Sequence, residues 1–143
     1  MPGKLKAALS GLSDAQLDTP YRDGGWTVRQ LVHHIADSHG QALARVKFAL
    51  TEDFPTLAAY KEKLWAELPD SLTAPVESSL AIIEGAHMRW VTMLRGLDEA
   101  QWQRGITHAE RGRMTIEQLT PLYAWHSLHH VAHITTLRKQ KGW

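Results

Sequence analysis

Val28, Leu31, Val32, Ile35, Leu43, Val46 and Leu50 recur at helical spacing behind the capping box Thr27-Val-Arg-Gln30. A stripe of that period fits only an α-helix with one face buried, so residues from about Thr27 to Leu50 form a long helix that needs neighbours to cover it. This predicted helix carries His33, His34 and His39.

The rest of the chain supplies the neighbours. Lys4 to Leu9 forms a short helix, broken at Ser10-Gly11, and Ser13-Asp-Ala-Gln16 opens a further turn or two with its own capping box. Thr19 to Gly25 is a loop set by Pro20 and the Gly24-Gly25 pair. Glu52 to Pro55 ends the first long helix, Thr56 to Leu68 reads as a shorter helix, and Pro69 to Pro75 reads as a connection. Leu80, Ile83, Met88, Val91 and Leu94 mark a helix from Val76 to Leu97, preceded by Pro75 as a first-turn proline, and Asp98 to Trp102 adds one turn. A loop containing Gly105, His108 and Gly112 follows. The last helix starts near Thr115, where Thr115-Ile-Glu-Gln118 is a capping box, and is expected to bend near Pro121. With no strand pattern, the expected fold is all-α: a bundle of long helices with short additional helices over residues 1–143.

Composition narrows the function. Sixteen Lys and Arg stand against fifteen Asp and Glu, scattered along the chain, so the electrostatic footprint of a nucleic-acid binder is missing. The absence of cysteine excludes thiolate ligands, disulfides and a cysteine nucleophile, and any metal would be held by nitrogen and oxygen. Gln118 to Leu137 lacks Asp, Glu, Lys and Arg, yet its four histidines and Pro121 would be costly in lipid, so no membrane span is expected. Met1 to Leu9 lacks the apolar core of a signal peptide, and a cytoplasmic location is the expectation.

Those four histidines crowd the segment Tyr123-Ala-Trp-His-Ser-Leu-His-His-Val-Ala-His-Ile134. On a helix, His126 and His130 stand one turn apart with Cβ atoms about 6 Å from each other, a span one metal ion can bridge. His129 and His133 have the same spacing, and facing favours the first pair only weakly, because His129 lies about 60° from the centre of the apolar face. The third ligand is left open: on the helix from Thr27, His39 projects near the middle of the apolar stripe and His34 toward its edge. Several histidines facing the interior would be costly to protonate together and costly to leave unpaired, and a metal relieves both costs.

The segment Gly24-Gly-Trp-Thr-Val-Arg-Gln-Leu-Val-His-His-Ile-Ala-Asp-Ser-His39, taken with the Tyr123–Ile134 segment, resembles the two signature stretches of the DinB superfamily, in particular its YfiT-like metal-dependent hydrolases. The similarity continues through Lys47 to Asp53, Trp90 and His108. The resemblance implies a four-helix bundle and a divalent metal held by three histidines. The first lies eight residues after the motif tryptophan, giving His34, and the pair corresponds to His126 and His130. Zinc or nickel is the expected ion, and a homodimer the expected assembly. Three ligands leave a coordination position open, so the first functional expectation is hydrolysis of a small-molecule substrate by metal-activated water. Transfer of a low-molecular-weight thiol of the bacillithiol or mycothiol type is the second enzymatic expectation, and a metal-stabilised bundle without turnover the third. Asp37 and His133 are the candidates for a further catalytic group.

Overall fold

The computed structural model describes residues 1–143. Pro2 stands in the first turn of α1 (Pro2–Leu9), where its missing N–H leaves no helical bond unmade. Ser13 caps α2 (Asp14–Leu17): its hydroxyl accepts the Gln16 N–H at 3.4 Å, and the Gln16 amide oxygen accepts the Ser13 N–H at 2.8 Å. The same reciprocal box at Thr27 and Gln30, at 3.1 and 2.9 Å, starts α3 (Val28–Thr51).

Beyond α3 come β1 (Thr56–Leu57), α4 (Glu62–Trp65), α5 (Pro69–Thr73) and α6 (Val76–Arg95), the last entered directly from Pro75. Asp98 caps α7 (Glu99–Trp102), β2 (Gly105–His108) and β3 (Gly112–Thr115) form a hairpin, and α8 (Ile116–Lys141) begins from the Thr115 capping box with Pro121 inside it. The packing of α1, α3, α6 and α8 on one another makes a four-helix bundle.

Two expectations need correcting. Residues 56–68 hold a two-residue strand and a single helical turn instead of one helix, and α5 occupies the expected connection. The absence of strands is also overturned, since β2 pairs parallel to β1 and antiparallel to β3. This hairpin is built on glycines. A Cβ on Gly105 would fall 2.1 Å from the Met114 carbonyl oxygen, and Gly112 turns at φ +73°. Strands this short carry too few residues for alternation to register.

Apolar packing divides into two clusters. One joins α1, α2 and the first half of α3 to Val131, Ile134 and Leu137 of α8; the other joins Ala42, Leu43, Val46 and Ala49 to Trp90, Ile106, Ile116, Leu119 and Tyr123. Between them lies a polar layer of His39, His87, His126 and Ser127. Arginines fasten the periphery. The Arg29 guanidinium, buried beside α2, donates to Asp18 at 2.6 Å, Asp14 at 2.9 Å and the Ala74 carbonyl at 3.1 Å. Arg104 reaches the carbonyls of Ala49 and Glu52, satisfying acceptors at the end of α3. No helix is long and apolar enough to cross a membrane.

Candidate metal centre

α3 and α8 bring their histidines together across the bundle. His130 Nε2 lies 3.0 Å from His126 Nε2, which lies 3.3 Å from His34 Nε2, and all three ligand atoms fall within 4.8 Å of one another. Nitrogens held about 2.0–2.1 Å from a single tetrahedral ion would stand about 3.3 Å apart. Two of the three separations lie near that value and the third stays within 4.8 Å, so the rings can converge on one metal. The donor set is of the right kind as well, since three neutral imidazoles suit zinc, nickel and their neighbours.

Burial is the largest influence on these rings. It pushes His34 and His126 down to about 4, with a charge on a neighbouring histidine adding to the shift in each case. His130 is lowered still further, by burial and then by His126 and His34. At neutral pH the three rings therefore present lone pairs instead of protons, the state a metal needs.

Other side chains hold the triad in place. His126 Nδ1 lies 3.4 Å from His39 Nε2, and His39 Nδ1 lies 2.8 Å from His87 Nε2. If His126 donates to His39, the proton sits on Nδ1 and leaves Nε2 free to face the other two ligands. The Tyr60 hydroxyl lies 3.4 Å from His34 Nδ1 and does the same for that ring when it accepts. The Trp26 ring packs on His34 with centroids 4.8 Å apart.

The triad opens onto a cavity of about 660 Å³ that also touches Trp26, Arg45, Tyr60, His108, Tyr123 and Trp125. Asp37 and His133 do not line it. Burial, reinforced by Asp70, raises the Asp37 carboxyl to about 6. His133 stacks on Tyr21 with centroids 4.3 Å apart and meets His129 at 3.0 Å on the outer side of α8. His39 is fully buried in the polar layer, and His33 is taken up by Ser79 at 2.7 Å and the Ala74 carbonyl at 3.1 Å. Sequence reasoning did not single out Arg45, Tyr60 or His87. A signal existed for Arg45: it follows His34 by eleven residues, about three helical turns, and so shares its face.

The sequence pattern of the DinB superfamily matches residues 1–134. The chain belongs to the DinB superfamily. Its relatives within the superfamily include YfiT of Bacillus subtilis (strain 168), 51% identical over 144 residues that span 100% of this chain and 81% of YfiT, and a Geobacillus thermodenitrificans (strain NG80-2) protein, 49% identical over the same spans. Both are provisionally named metal-dependent hydrolases. The solved structure of YfiT, described as an unusual four-helix bundle topology, superimposes with a TM-score of 0.97 over 99% of this chain and 82% of that one. The four-helix bundle protein TT2238, at 18% identity and a TM-score of 0.63, shares the fold over 94% of the chain. The chain is thus a DinB-type four-helix bundle with a histidine triad able to hold a metal.

Proposed function

We propose that the protein is a metal-dependent hydrolase whose divalent ion, zinc or nickel, is held by His34, His126 and His130. The observation that carries this reading is the convergence of three neutral Nε2 atoms at an open cavity. A structural metal is enclosed by four protein ligands, whereas three ligands beside a cavity are the arrangement of a catalytic one. The relatives named for metal-dependent hydrolysis support the same reading.

A divalent ion bound there supplies Lewis acidity, which lowers the pKa of water and polarises a carbonyl or phosphoryl oxygen. The chain's own residues do the rest. His39 and Tyr60 orient two of the ligand rings through the nitrogens that face away from the site. Trp26 and Trp125 line the cavity with flat apolar surface that displaces water from a bound substrate. Asp37, whose carboxyl is raised to about 6 by burial and then by Asp70, is not among the residues lining the cavity and is given no role in this reading.

The test is metal analysis of the purified protein, followed by ester, amide and thiol-transfer assays with and without a chelator. About one ion per chain and a chelator-sensitive hydrolysis are expected. Equal metal content in the wild type and a His126→Ala, His130→Ala double variant would exclude the site, and chelator-sensitive thiol transfer without hydrolysis would exclude the reaction.

A further inference from the structure

Arg45 is a buried cation with no anion. Only 8% of its surface is exposed, and the ion pairs of the molecule, Lys6 with Glu84 and Arg29 with Asp14 and Asp18, do not include it. One guanidinium N–H group donates to the Tyr123 hydroxyl. A guanidinium carries five N–H donors. Nε and Nη2 have no partner in the protein, and neither is among the sealed, unpartnered side-chain atoms, which are Trp90 Nε1 and His130 Nδ1, so both keep contact with solvent. Arg45 lines the same cavity as the triad, where those donors can meet a ligand. Holding an unpaired charge out of bulk water is costly, and such a group is retained where a ligand provides the missing partner.

A second donor stands in the same place. The backbone N–H of Glu110 donates to His108 Nδ1 at 3.2 Å, which fixes the ring proton on Nε2. That N–H has no protein acceptor, and His108, 8% exposed, lines the same cavity. Burial and the Arg45 charge both hold His108 below its ordinary pKa, so the ring stays a neutral donor beside the guanidinium. At the rim, Lys61, Lys63 and Arg111 outnumber Glu62 and Glu110.

The cavity is also long. Its α8 wall runs from Leu119 through Leu122, Tyr123 and His126 to His130, about 16 Å of helix. The triad occupies the His126–His130 end; Arg45 meets α8 at Tyr123, about one turn before His126, and on α3 it lies eleven residues, about three turns, from His34.

We propose that Arg45, with the Nε2–H of His108, binds an anionic oxygen group, a carboxylate or a phosphate, on an elongated ligand whose other end reaches the histidine triad. The assignment of the far end rests on the metal-centre reading above; the anionic end rests on Arg45 and His108 alone.

Two titrations separate the two. In metal-free protein, inorganic phosphate is added while the arginine Nε–H signals are followed by NMR, in the wild type and in Arg45→Gln and Arg45→Lys. Saturable movement of the Arg45 signal is expected in the wild type, with affinity reduced roughly tenfold or more in Arg45→Gln and less in Arg45→Lys. An unmoved Arg45 signal, or equal affinity in the wild type and Arg45→Gln, overturns the proposal. The wild-type signal decides even if a variant fails to fold.

In zinc-loaded protein, alkyl hydroxamates with a neutral, a carboxylate or a phosphonate tail are compared by calorimetry. A tail preference of about tenfold for an anion, lost in Arg45→Gln, is expected. Equal binding of all three tails in the wild type overturns it. If the protein takes up no zinc, the metal reading fails while the phosphate titration still decides the role of Arg45.

Discussion

His39 stands behind His126, its Nε2 3.4 Å from the Nδ1 of a ring whose other nitrogen faces His34 and His130. Replacing it by leucine keeps roughly the volume and removes the acceptor. Metal affinity, measured by competition with a chromophoric chelator, should fall by about 10- to 100-fold in His39→Leu while the fold persists by circular dichroism. Unchanged affinity would show that His126 is oriented without help from His39.

Removing a ligand should have a larger effect. His130→Ala leaves two nitrogens, and bound metal should drop from about one ion per chain to near none on dialysis. Saturating metal at about a thousand times its dissociation constant stabilises the folded state by about 4 kcal/mol, so the melting temperature of the wild type should rise by roughly 10 °C on loading. The His130→Ala protein should show almost none of that rise.

The triad should keep its metal in mild acid. His34 and His126 titrate in the folded chain at about 4, against 6.5 for a free imidazole, so protons compete for these ligands only near and below pH 4. Metal affinity at pH 5.5 should lie close to its value at pH 7, whereas ligands with ordinary pKa values would already lose most of it. Metal-free protein behaves differently. Because these folded pKa values are depressed, the unfolded chain takes up the additional protons between pH 6.5 and about 4, and stability falls as pH is lowered through that window. Denaturant unfolding of the metal-free protein across pH 4 to 7 checks the sign.

Gly105→Ala should cost several kcal/mol. The added methyl meets the Met114 carbonyl oxygen at 2.1 Å, backbone that cannot swing aside without breaking the β2–β3 pairing. A loss on the order of 2–4 kcal/mol in urea unfolding is expected, and a loss below 1 kcal/mol would show that the hairpin contributes little.

The long helices were legible because Thr27 and Thr115 announce them with complete capping boxes and an apolar period follows each. The short sheet was not, since Gly105 and Gly112 read as loop residues until the partner strand is seen. The choice among α3 histidines shows why periodicity alone left the third ligand open. His39, at the middle of the apolar stripe, is fully buried and bonded to His87, while His34, at the edge, faces the cavity. A side chain that must meet a ligand belongs at the margin of the core, and facing toward the core centre selects against it. Arg45 escaped notice for a related reason, because a lone arginine on a helix reads as solvated until its burial and missing partner are known.

The polar layer between the two apolar clusters also settles how far along its axis α8 is seated. Aliphatic side chains on either side would tolerate a slip of one helical turn, about 5.4 Å, with modest loss, since one apolar residue replaces another. The layer would not. Such a slip would take Ser127 and His126 away from His39 and set that buried ring against aliphatic neighbours, leaving polar atoms stranded. The histidines thus act as an alignment key for the bundle, selecting one seating of α8 on α3 before any ion arrives.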